Sequence, residues 1–252
     1  MLTKLIRFLS GLLFGYAIKY LWKRLLSFIE TRFAIKRISP LEQGFYAKEL
    51  DYHGIKIKSP AAVEDTALIE ARHRLDMMLK NMPEARRQLS RQRAELHIIG
   101  RNQLTSDLPE HKHLRGKKDF DRKNHLDIDE RTRGVGGRLA SVGEENLLRL
   151  REDRYRGRDI CIHEFSHTVM MFGLDNKTRE KITRQYQHSK KVGLWKGTYA
   201  ASDPAEFFAE LSMWYFGTRG DYGSLSPPPE PGPGWLKKYD PDAYSLLKSI
   251  YS

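Results

Sequence analysis

Gly157-Arg158-Asp159-Ile160-Cys161-Ile162-His163-Glu164-Phe165-Ser166-His167-Thr168-Val169-Met170-Met171-Phe172-Gly173 decides how this chain is read. Two glycines frame an apolar run, and within it stands His163-Glu164-Phe165-Ser166-His167. On a helix, side chains four apart lie about 40° from eclipsed, so both imidazoles face one way and can converge on one metal ion. Glu164 lies about 100° round from His163, beside such an ion rather than on it, where a carboxylate can act on a bound water. Ile160, Ile162, Phe165, Val169 and Met170 predict that this helix is buried. Two histidines and a glutamate on a buried helix need partners, and a metal supplies them. The expected ion is a single Zn²⁺, with His163 and His167 as ligands and Glu164 as general base.

A catalytic zinc wants a third protein ligand and an open fourth position. Ser202-Asp203-Pro204-Ala205-Glu206-Phe207-Phe208-Ala209-Glu210 offers it. Asp203 or Ser202 can cap a helix that Pro204 starts, and Phe207, Phe208 and Leu211 give it an apolar side. Glu206 and Glu210 are one turn apart on the same face. Glu206 is assigned as third ligand and Glu210 as the acid behind a ligand histidine, fixing its tautomer. Asp203 and Glu206 also fit a capping box, which would spend Glu206 on the backbone. A histidine ligand three residues after a glycine, the alternative continuation of the motif, is excluded because Val169-Met170-Met171 follows instead.

At these residues the chain resembles the lethal-factor-like zinc metallopeptidases, a gluzincin type whose relatives include the Pro-Pro endopeptidases. The resemblance rests on His163-Glu164-Phe165-Ser166-His167 with Tyr199-Ala200 and Glu206-Phe207-Phe208-Ala209-Glu210. It extends over residues 133–252 at most, taking in Arg133-Gly134-Val135-Gly136-Gly137 and Ser141-Val142-Gly143-Glu144-Glu145-Asn146-Leu147-Leu148. It implies an α+β, mostly helical zincin-like domain with a small sheet, acting as a zinc endopeptidase on peptide or protein substrates. In the family a tyrosine seven residues before the ligand glutamate stabilises the oxyanion, a role that falls on Tyr199 here. The alternative function is a membrane-associated binding or scaffold protein with a structural or vestigial zinc site.

The remaining sequence sets the frame. The chain has 252 residues, enough for a domain with an extra segment, and 40% hydrophobic content supports a core. Cys161 is the sole cysteine, which excludes an intrachain disulfide and cysteine-built zinc fingers. The net charge of +12 is uneven: residues 1–60 hold eleven Lys/Arg against four Asp/Glu, and the other 192 residues hold 33 against 28. A basic N-terminal quarter favours a membrane surface over nucleic acid as partner. Residues 1–34 read as an apolar, basic helix, uncharged from Phe8 to Ile18 and acid-free until Glu30. It fits a signal anchor or interfacial helix, a cleaved signal, or an amphipathic helix packed on the protein itself. Membrane association or export is expected, with the side left open.

Residues 35–60 read as a connector with a short strand over 53–58, and 61–252 as the catalytic domain. A helix is expected from Ala62 to about Leu89 with a break at Pro83, with the Met77-Met78 pair in the core. Glu95–Gly100 reads as a strand with His97 packed on it. Residues 101–140 read as polar loops. The His111-x-His113 pair lacks a supporting ligand, and Gly134–Gly137 reads as a tight turn. Glu144 is expected to cap behind Ser141, Pro227–Gly234 to be a surface loop, and Asp240-Pro241 to start a last helix.

Overall fold

In the computed structural model, which describes residues 34–118 and 125–252, the expected connector is instead the start of the sheet. Residues 36–59 form three antiparallel strands, β1 (Lys36–Glu42), β2 (Tyr46–Tyr52) and β3 (Ile55–Ser59). The punctuating residues are the turns of this meander rather than the marks of a linker. His53 and Gly54 both take positive φ in a two-residue hairpin loop, the geometry that follows strand twist, and the Asp51 carboxylate accepts the Gly54 N–H at 3.0 Å. Pro40 sits in an edge strand, where a missing N–H is tolerated. Leu50, Tyr52, Ile55 and Ile57 enter the main core, so the folded unit begins well before residue 61. The expected N-terminal helix, residues 1–34, lies almost wholly outside the described residues.

Two helices follow, α1 (Asp65–Leu79) and α2 (Pro83–Arg91), divided where Pro83 cannot continue the preceding turn. Met78 is fully buried and Met77 partly so, which makes the pair core filling. The crossover through these helices lets β4 (Glu95–Ile99) pair parallel with β3. Residues 101–118 hold two 3₁₀ turns, Thr105–Asp107 and Lys112–Leu114, and Leu108 packs with Tyr46 and Ile99 in a small second core. After α3 (Ile128–Arg131), β5 (Gly134–Val135) and β6 (Leu139–Gly143) complete the six-stranded sheet, in the order β1-β2-β3-β4-β6-β5. β6 runs parallel to β4, and β5 runs antiparallel to β6 on the sheet edge.

The short α4 (Glu144–Leu147) is capped by Gly143, not by Ser141. The buried Glu144 carboxylate instead accepts the Glu64 N–H at 2.7 Å and the Arg101 N–H at 3.0 Å. α5 (Ile160–Thr168) runs into a π-helical turn at Val169–Gly173, and α6 (Asn176–Lys191) comes next. α7 (Pro204–Tyr215) starts at Pro204 with Asp203 as cap. Pro233, expected within a loop, is the first residue of α8 (Pro233–Tyr239). Asp240 caps α9 (Pro241–Tyr251) as expected, accepting the Ala243 N–H at 3.0 Å. Phe165, Phe208, Trp214 and Cys161 are buried in the main core, and burial pushes the Cys161 thiol up, consistent with a packing role. Among the described residues no helix is long and apolar enough to cross a membrane.

His97 is a packed strand residue, 1% exposed. Its Nε2 lies 2.8 Å from Glu95 Oε2, and its Nδ1 meets the Tyr46 hydroxyl at 2.8 Å and the Glu110 carboxylate. Lys58 bridges Glu95 and Glu42 beside it. Burial disfavours an imidazolium, but the Glu110 and Glu95 carboxylates outweigh it and raise the His97 pKa. Glu95 is itself held down to about 2, against burial, by its bonds to His97 and Lys58. A raised folded-state pKa gives stability that is complete below the unfolded value of about 6.5 and is lost as pH rises through the folded value. Thermal unfolding of His97→Gln and wild type, compared at about pH 6 and about pH 9.5, should show the larger gap at the lower pH; an equal gap at both would contradict a charged His97.

Candidate metal centre

The site is built where α5 crosses α7. Asp159 caps α5, its carboxylate accepting the Ile162 N–H at 3.1 Å, and pairs with the buried Arg74. With that end fixed, His163 and His167 project from one face, their Nε2 atoms 3.3 Å apart. On α7, Asp203 accepts the N–H groups of Ala205 and Glu206 at 2.8 and 2.9 Å. The cap therefore leaves the Glu206 side chain free, and the carboxylate points at the histidines rather than at its own backbone. Glu206 Oε2 stands 3.2 Å from His163 Nε2 and 3.5 Å from His167 Nε2.

These three atoms form a triangle with edges of 3.2–3.5 Å. Ligands about 2.0–2.1 Å from a tetrahedral zinc are separated by about 3.3 Å, so the donor set fits that ion. Glu206 Oε2 is buried and has no hydrogen-bond partner, an expensive condition that a cation would relieve. The electrostatics agree. Burial works against a charged His163, yet Glu206 and Glu210 overcome it and lift its pKa to about 10. Glu206 is driven far below the usual carboxylate range, against burial, by the two histidines. A pocket that favours an imidazolium this strongly favours any cation in its place, a divalent one more so.

Glu210 is fully buried one turn further along α7. Its Oε1 lies 3.2 Å from His163 Nδ1 and accepts Arg158 at 2.7 Å, while Oε2 accepts the Asp221 N–H. Glu164, partly exposed, completes the group with His163 and His167, their ligand atoms within 4.8 Å of one another. Burial first, then the Glu206 and Glu210 charges, raises its pKa over the opposing pull of the histidines. Tyr199, in a 3₁₀ turn at Tyr199–Ala201, donates its hydroxyl to Glu206 Oε1 at 3.1 Å. Burial and the Glu206 charge push that phenol up, so it stays a proton donor. All six residues singled out from the sequence thus meet in one place. His111 is buried and His113 exposed, and neither is in a cluster of metal-ligand spacing among the described residues.

Sequence reading missed three contributors. Gly134–Gly137 is not only a turn: Gly134 lies in β5, which passes over α5. A methyl at Gly134 would sit 2.6 Å from Ile160 Cγ2 and 3.0 Å from Glu164 Cγ, and one at Gly136 would sit 2.7 Å from His167 Cβ. The Gly-x-Gly spacing was the available signal for such a close backbone approach. Arg158 and Asp221 had none, since each is defined only by contact with Glu210.

No family model and no curated protein matches the chain. Several solved structures do. One is the Pro-Pro endopeptidase PPEP-2 from Paenibacillus alvei, with a TM-score of 0.58 and 16% identity, covering 77% of this chain and 97% of that one. The likeness establishes an α+β zincin-like fold.

Removing the carboxylate behind a ligand histidine typically weakens a metal by about 10–100-fold. Chelator-competition titration should give that loss for Glu210→Gln and no measurable zinc binding for His163→Ala. Wild-type affinity in both variants would rule out this centre.

Proposed function

We propose that the chain is a zinc-dependent endopeptidase, distantly related to the Pro-Pro endopeptidases and through them to the lethal-factor-like metallopeptidases. The observation that carries the proposal is the triangle of His163, His167 and Glu206 donor atoms with the Glu164 carboxylate beside it, under the rim strand β5. His163, His167 and Glu206 would hold the ion. Zinc in such a site acidifies a bound water to a pKa of about 7 and polarises a peptide carbonyl.

The protein's own groups do the rest. Glu164, whose carboxylate stands beside the two histidines, takes the proton from the attacking water and returns it to the leaving amine. Tyr199 swings its hydroxyl from Glu206 to the developing oxyanion and donates a hydrogen bond to it. Glu210 holds the His163 ring with Nε2 toward the other donors. β5 pairs only with β6 among the described residues, and its outer edge runs across α5 with Gly134 against Glu164. An extended peptide added to that edge would lie over the donors, which suits cleavage within a chain. Residues 1–34, apolar and basic, would bring the enzyme to a membrane surface.

Zinc analysis and cleavage of a peptide library that includes Pro-Pro bonds test this against a structural or vestigial zinc site. One zinc per chain and hydrolysis are expected for wild type. Glu164→Gln should keep the zinc and lose about 10²–10⁴-fold in turnover, the usual worth of a general base, while Glu206→Gln should lose zinc and activity together. Zinc with no hydrolysis in wild type, or undiminished hydrolysis by Glu164→Gln, would overturn the assignment.

A further inference from the structure

Tyr199 and Glu210 come from separate segments, yet one residue joins them. α7 ends at Tyr215, and the chain turns at Gly217, with φ of 96°, where the Gly217 N–H donates to Trp214 O and the Thr218 N–H to Met213 O. It then doubles back against the buried face of α7. Gly220 allows this: a methyl there would sit 2.4 Å from Glu210 Oε2 and 2.7 Å from Trp214 Nε1. Gly223 allows the next approach, since a methyl there would sit 1.8 Å from Gly197 O. Residues 217–223 are thus wedged between α7 and the turn that bears Tyr199.

Asp221 stands at the centre of the wedge. Its N–H donates to Glu210 Oε2, and its Oδ2 accepts the Tyr199 N–H at 2.9 Å. The contacts close a ring: His163 to Glu210, Glu210 to Asp221, Asp221 to Tyr199, and the Tyr199 hydroxyl to Glu206, which faces His163 again. The phenol end of Tyr199 must move during turnover, so its place is set by its backbone. In the turn Tyr199–Ala201, Asp221 is what holds the Tyr199 amide. We propose that Asp221 is a positioning residue, which registers the Tyr199 hydroxyl donor against the Glu210–His163 pair. The proposal rests on the peptidase reading above.

The test uses the full chain loaded with zinc, with variants Asp221→Ala, Asp221→Asn, Tyr199→Phe and Asp221→Ala/Tyr199→Phe. Amide hydrogen exchange at Tyr199, zinc content and the kinetic constants are measured. Asp221→Ala should exchange the Tyr199 amide about tenfold faster, retain its zinc, and lower kcat about tenfold or more with KM within about twofold. Asp221→Asn keeps an acceptor oxygen and should recover most of both losses. In the Tyr199→Phe background Asp221→Ala should cost kcat little more, because the donor it registers is gone. Unchanged exchange and kcat in Asp221→Ala, the same fold-loss in both backgrounds, or zinc loss from both Asp221 variants would each overturn the role. A wild-type chain that binds zinc but cleaves no peptide sinks the peptidase reading and this role with it. A wild type that cleaves, beside an Asp221→Ala variant with the wild-type kcat, sinks this role alone.

Discussion

The contact between the Glu210 carboxylate and His163 sets the terms for the rest of the molecule. Glu210 has no exposed surface, and a bare carboxylate in that position would be heavily penalised. It is held by Arg158, by the Asp221 N–H and by the His163 ring. Each partner then fixes an element. Arg158 ties down the approach to α5, Asp221 the segment after α7, and His163 the crossing of the two helices. The apolar packing of Phe165 and Phe208 brings α5 and α7 together, but it is indifferent to small rotations about either axis. The buried charge is not, and that converts a packed helix pair into one rotational setting with Nε2 of His163 toward Glu206.

The same crossing explains the glycines of the sheet edge. β5 must pass close over α5 if its edge is to lie beside Glu164, and any side chain at Gly134 or Gly136 would hold it away. Arg133, just before β5, is anchored by two bonds to Glu145 at 2.8 Å each. Glu145 in turn sits on α4 directly after β6. The acid pair Glu144-Glu145 is therefore structural, one member tying down the Glu64 and Arg101 backbones and the other fixing the register of the edge strand.

What could be read in the sequence was local. His163 and His167 share a face because of helical spacing, Asp203 and Asp240 cap because their carboxylates accept first-turn N–H groups ahead of a proline that can start a helix, and Pro83 can begin α2 but cannot continue α1. The short strand over 53–58 was legible from its alternation and is β3, but β1 and β2 were hidden because strand pairing is non-local and because the composition of the meander misleads. Lys48 and Lys58 are buried, which lysine rarely is, and the carboxylates that permit it lie elsewhere in sequence, at Asp65, Glu42 and Glu95. Arg158 and Asp221 were hidden for the same reason. An arginine and an aspartate in loops are ordinary until the fold sets a buried carboxylate between them.

The distribution of the site over the fold separates two demands. The atoms proposed to hold the metal come from α5 and α7, two helices locked by a core and a buried charge, where a displacement of a few tenths of an ångström would upset the donor triangle. The groups proposed to meet the substrate come from thinner structure: Tyr199 from a single 3₁₀ turn and the peptide-pairing edge from a two-residue strand. Such segments can shift with a ligand at small cost, but left alone they would wander. Ion pairs and glycine-enabled contacts at their roots supply the restraint: Arg133–Glu145 for the strand, and the wedge of residues 217–223 for the turn. Rigidity is thus placed where coordination demands it and only borrowed where substrate must enter. So short a strand and turn suffice because each is tethered to a helix of the core, the strand to α4 through Glu145 and the turn to α7 through Asp221 and Glu210.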